Sequence, residues 1–268
     1  MVPELFGAAM VEQLSARGIG VLCVRSFDDR TPGDQGRMWL TTEDRTSTHQ
    51  WEFLDHAQRD QQLGHIAETG ETHRAAMGTI LVSSEPLLLV CTNGKRDVCC
   101  AQVGRDILSG LVCDQAVTLE CTHIGGHRFA GVTLLLPWGY VHRVATSDAA
   151  AELITSAREG RLRLDGLRGR TGLSAPQQVA EINARNRHQV DGLALDIHAR
   201  QCETVVSDMR PDTPSATQAN VSTDSEIAIS IRLGSLLDTV HLQRRAGQPR
   251  PESCGGDLKP LQWWHVID

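Results

Sequence analysis

Apolar positions repeat at helical spacing over residues 6–17 (FGAAMVEQLSAR), and Gly18 is placed to cap that helix. IGVLCVR (19–25) is β-rich and nearly unbroken, which predicts a buried strand. A polar Gly/Pro/Asp loop follows over 28–36, then RMWLTT and HQWEFL as a pair of short strands, then a polar-faced helix over 55–68. The middle of the chain is more sharply patterned. EPLLLVC (85–91) is a strand that ends in the polar turn TNGKRD. A helical pattern runs from about 97 to 112 with Asp97 as candidate N-cap, and AVTLEC (116–121) is a second strand. GVTLLLPWGYVHRV (131–144) reads as two strands about a Pro-Trp-Gly turn. TSDAAAELITSAREG (146–160) is a helix, with Ser147 as cap and Gly160 as stop.

Beyond this unit, DGLRGRTGLS (165–174) reads as a linker and APQQVAEINARNRHQ as a helix with Pro176 in its first turn. CETVVSDMR and EIAISIRL are strand-like, separated by a polar Pro/Ser/Thr loop. The tail from Pro249 shows little periodicity. The expected organisation is an N-terminal α/β segment (1–84), a central α/β unit (85–164) and a C-terminal helix-plus-β segment (165–268).

Composition narrows the function. The chain has 268 residues, enough for one large domain or two small ones. A net charge of -7 argues against broad nucleic-acid binding. No apolar run approaches the roughly 20 residues of a membrane span. The N-terminus lacks the basic and apolar regions of a signal peptide. The expected location is the cytoplasm, where eight cysteines do not form a disulfide framework.

Four residues carry the chemistry: Cys91 and Cys100 in CTNGKRDVCC, and His123 and His127 in ECTHIGGHRFAG. Each pair follows a predicted strand, and strand ends of an α/β sheet lie along one edge. Two thiolates and two imidazoles can hold an iron–sulfur cluster or a zinc ion. Imidazole in place of thiolate removes formal negative charge and raises the potential of a cluster. It also allows reduction to couple to proton uptake. Lys95, Arg96 and Arg128 would favour the reduced state. CTHIGG is close to half of a Rieske box, but neither Cys202 nor Cys254 has a His three positions on, which excludes that site. Structural zinc sites place paired cysteines two to four residues apart, and the longer Cys91–Cys100 gap fits them less well. There is no Cys-x-x-Cys for dithiol chemistry, no carboxylate pair placed for glycoside hydrolysis, and no phosphate loop.

The stretch 86–160 resembles the thioredoxin-like [2Fe-2S] ferredoxins in its order of elements. More closely, VCTNGKRDVCCAQVGR with ECTHIGGHRFAGVTLLLPWGYVHRV is similar to the sucrase/ferredoxin-like family. The resemblance implies a thioredoxin-like ferredoxin fold and a [2Fe-2S] cluster held by Cys91, Cys100, His123 and His127. It implies a non-enzymatic electron carrier or redox sensor served by a redox partner such as a reductase. The Cys-Ala step aligns Cys100, rather than Cys99, with the family's ligand. Members usually begin with a further Cys-containing segment and strand, so the chain reads either as truncated at its start or as starting from a misassigned Met. Asn93 stands where His is common.

Two other readings stay open: a structural zinc module for protein interaction, and a metal-free enzyme with Cys100 as nucleophile. Cys23 and Cys113 are expected in the core, and Cys121 is expected as a buried strand-end thiol, with a ligand role as its alternative. Cys202 has no partner spacing, and Cys254 is exposed by its context. His49, His56, His65 and His73 read as solvated, and His142 as a surface residue, with a place near the cluster as its alternative. Trp263 and Trp264 either anchor the tail or form a docking patch.

Overall fold

A computed structural model describes residues 7–25, 27, 37–41, 48–52, 55–71, 79–95, 97–111, 118–125, 130–193, 195–202, 226–251 and 256–267. The chain forms two compact units, Met1–Gly172 and Leu173–Asp268.

In the first unit, helix α1 (Ala8–Ala16) ends at Arg17, and Gly18 follows with a positive φ of 75°. The expected buried strand over 19–25 is realised only as β1 (Val24–Arg25), half-buried at the edge of the main sheet. An edge strand is covered on fewer sides than its apolar sequence suggested. The two short strands form as β2 (Arg37–Thr41) and β3 (Thr48–Glu52), joined by an unforeseen third, β4 (Thr79–Ser83). Between β3 and β4 runs α2 (His56–Thr69), whose N-cap Asp55 accepts from the Gln58 amide at 2.9 Å. Leu14 of α1 packs with Ile66 and Ala67 of α2. Arg17 donates to the Ala67 carbonyl at 2.7 Å, meeting the negative end of that helix.

The main sheet is built on β5 (Leu87–Cys91), buried at every position. The other strands are β6 (Thr118–Cys121), β7 (Val132–Leu136), β8 (Tyr140–Arg143) and β9 (Leu167–Arg170). The order is β1-β6-β5-β7-β8-β9. β5 and β6 are parallel, whereas β7 is antiparallel to β5 and β8 to β7. Helices α3 (Val98–Gly110) and α4 (Ser147–Arg158) complete the unit. This is the α/β arrangement of a thioredoxin-like ferredoxin unit. The cap of α4 is Thr146, not Ser147: its hydroxyl accepts from the Ala149 amide at 3.2 Å.

The segment read as a linker contains β9. Gly166 there serves a close approach. Gly166 has φ 71°, and a Cβ there would stand 2.4 Å from the Arg143 carbonyl oxygen. The Gly166 carbonyl in turn accepts from the Arg143 amide at 2.8 Å.

The second unit is helix α5 (Ala175–His188) on an antiparallel sheet of β10 (Ile197–Cys202), β11 (Glu226–Leu233), β12 (Leu236–Pro251) and β13 (Leu258–Val266). Ala180 and Ala184 let the helix approach Ile229, Ile231, Val240 and Leu242 closely. Arg185 and Glu181 form a wholly buried ion pair at 3.0 Å, and Arg185 also donates to the Val190 carbonyl. The tail is therefore regular, not aperiodic. Its two tryptophans part company: Trp264 packs on the core, and Trp263 is exposed, lying against Gly247.

His142 is buried, contrary to the surface reading, because β9 covers β8. Its Nε2 donates to the Arg163 carbonyl at 2.9 Å. Burial outweighs that bond and lowers its pKa from 6.5 to about 4, with the Arg163 charge adding to the fall and Asp165 opposing it. Between these values the unfolded chain binds the extra proton, so the imidazole costs stability as pH falls from 6.5 towards 4. His142→Gln keeps a donor and removes the titration. Urea midpoints measured at pH 7, 5.5 and 4.5 should decline less steeply in the variant than in the parent.

Candidate functional site

Cys91 ends β5, and Cys100 lies in the first turn of α3, beyond the loop Thr92–Asp97. That loop is tightly turned. The Gly94 amide donates to the Thr92 carbonyl at 2.9 Å, and the Asp97 amide to the Asn93 carbonyl at 3.3 Å. Asp97 is buried at the helix start, where its carbonyl accepts from the Cys100 amide at 3.0 Å. The helix then presses on the strand it left. A Cβ at Gly104 would stand 2.4 Å from the Cys91 carbonyl oxygen. Only glycine permits that approach.

The result is a thiol pair. Cys91 and Cys100 are both 1% exposed, and their side chains are hydrogen-bonded to each other. Burial pushes the Cys100 thiol up to about 12, helped by Cys91, Cys99 and Asp97 beside it. The Cys100 thiol is thus protonated and inert when nothing is bound, and a metal must displace its proton. Cys99, the competing candidate, is only half-buried and packs at the margin of the same cluster. Cys121 is buried there too, as its strand-end position predicted, while Cys23 is half-buried.

His123 is half-buried in the loop after β6. His127 lies outside the described residues, as do Arg96, Arg128, Cys113, Cys254 and His73. Among the described residues, no three His, Cys, Asp or Glu side chains converge as a metal set. The thiol pair is therefore the half of the expected ligand set that the structure brings together. Its chemistry suits a thiolate-seeking metal or cluster. Lys95 is exposed on the loop.

One residue escaped the sequence reading. Glu120 is buried between Leu119 and Cys121, and its Oε2 accepts from Thr92 Oγ1 at 2.8 Å and from Arg25 Nη2 at 2.7 Å. The Thr92 amide donates to the Cys121 carbonyl at 3.2 Å. The carboxylate thus ties β1, β6 and the first residue after Cys91 together. Its trace in the sequence was an acidic residue inside an otherwise apolar strand. Its partner Arg25 is largely exposed, so Glu120 acts mainly through its hydrogen bonds.

A family model described as sucrase/ferredoxin-like matches residues 21–167. The chain belongs to the sucrase/ferredoxin-like family. The matched residues span β1 to the start of β9, and so include the thiol pair, Glu120 and His123 of this sucrase/ferredoxin-like protein. No curated protein and no solved structure matches the chain. Among the described residues, no helix is long and apolar enough to cross a membrane.

Gly104→Ala should destabilise the protein by about 1–3 kcal/mol, because a backbone oxygen blocks the added methyl. Gly64→Ala, in α2 where a Cβ meets nothing, should stabilise by about 0.5–1 kcal/mol. Denaturant titration of the two variants checks both signs.

Proposed function

We propose that the protein is an electron carrier or redox sensor that binds a [2Fe-2S] cluster through Cys91, Cys100, His123 and His127. The observation that carries this reading is the mutual contact of two buried thiols, one at the end of β5 and one in the first turn of α3. The HIGGH loop begins where β6, the parallel neighbour of β5, ends. Family membership adds the ferredoxin-like character.

When bound, such a cluster takes up and gives back one electron. The chain's own residues do the rest. Cys91 and Cys100 lose their protons and supply two thiolates. His123 and His127 supply neutral donors, so the site carries less negative charge than one of four cysteines. Leu89, Leu119 and Leu134 keep water from the thiolate side. Glu120 and Thr92 fix the backbone next to Cys91. The electron would be exchanged with a redox partner protein in a reducing cytoplasm.

Cys91→Ser and Cys100→Ser should each abolish the visible charge-transfer absorption of anaerobically reconstituted protein, while Cys99→Ser and Cys23→Ser keep it. Ultraviolet–visible spectra of the four variants decide. Full colour in Cys91→Ser or Cys100→Ser would contradict the assignment.

A further inference from the structure

The Cys91 thiol has a second sulfur neighbour that the proposed ligand set does not use. Cys121 is the register partner of Cys91 in the parallel β5–β6 ladder. Side chains alternate between the two faces of a strand, so Glu120 turns to one face and Cys121 to the other. Cys91 and Cys121 belong to the same buried cluster, with Leu89, Leu119 and Leu134. Cys121 is 4% exposed, so water does not compete for its sulfur. Cys91 therefore shares its face of the sheet with Cys121, while its own thiol is hydrogen-bonded to Cys100.

We infer that Cys121 is a positioning residue for the site: its S–H donates a hydrogen bond to the Cys91 sulfur when that sulfur is a thiolate ligand. This rests on the ligand role proposed for Cys91. A donor aimed at a ligand sulfur draws off negative charge, and hydrogen bonds to cluster sulfurs are among the levers that set reduction potential. The reduced state carries one more electron and gains more from the donor, so Cys121 raises the potential. Reduction adds one electron to the site from an external one-electron donor. No bond at Cys121 is made or broken, and its proton stays on its own sulfur.

The test is a redox titration of anaerobically reconstituted full-length protein, with iron and acid-labile sulfide measured on each sample. Cys121→Ala should keep the parent's iron and sulfide but lose about tenfold in the reduction equilibrium, about 59 mV for a one-electron couple. Cys121→Val fills the space without donating, and should show the same drop even if alanine loosens the core. Cys121→Ser keeps a donor and should stay near the parent value. Unshifted potentials in both the alanine and valine variants overturn the inference, and so does loss of iron in all three variants, which would make Cys121 a ligand. A parent protein without iron and sulfide overturns the cluster reading and this inference with it. Only a loaded parent with unshifted variants overturns the inference alone.

Discussion

The seat of α3 on the end of β5 is the contact on which the site depends. Gly104 brings the helix so close that a single added carbon would collide with the Cys91 carbonyl. That approach sets where the first turn of α3 stands, and with it Cys100. Had the helix packed at an ordinary distance, Cys100 would stand farther from Cys91. The strand supports this by being buried on both faces, which leaves β5 little freedom to shift. Chemistry at the strand end is thus an outcome of packing one turn further into the helix.

Around that contact the thiols and the Glu120–Arg25 pair lie on opposite faces of the sheet. On the sulfur face the thiols of Cys91, Cys100 and Cys121 lie among leucines. On the other face Glu120 accepts from both Arg25 and Thr92. Desolvation keeps the Cys100 and Cys121 thiols neutral in the absence of a ligand. The same desolvation would strengthen every interaction with a bound group, since water screens little in such a pocket. In the second unit, Glu181 and Arg185 show the other solution to buried charge, a full pair with carbonyl partners.

The central unit was legible because its strands are short, apolar and bounded by turn residues. Strands form within EPLLLVC and AVTLEC and on both sides of the Pro-Trp-Gly turn, where the patterns placed them. The thiol pair was legible too, as two cysteines flanking a polar turn. What escaped depended on neighbours distant in sequence. IGVLCVR reads as a core strand, yet its place at the sheet edge leaves only Val24 and Arg25 paired. DGLRGRTGLS reads as a linker because glycine favours flexibility and close approach alike, and only β8 decides which. His142 looks like any polar strand residue until β9 covers it. The tail hid two strands because the ribbon formed by β12 and β13 extends past β11, where no core imposes alternation. His123 and His127 could be named from spacing, but the convergence of a full ligand set is a property of loop geometry that spacing does not encode.

The central claim is that the buried thiol pair serves an iron–sulfur cluster rather than a zinc ion or a catalytic thiol. Anaerobic purification with iron, acid-labile sulfide and zinc quantified on the same sample tests it most directly. The account predicts about two irons and two sulfides per chain, with little zinc. Stoichiometric zinc without sulfide, or protein that stays metal-free after reconstitution, would contradict it.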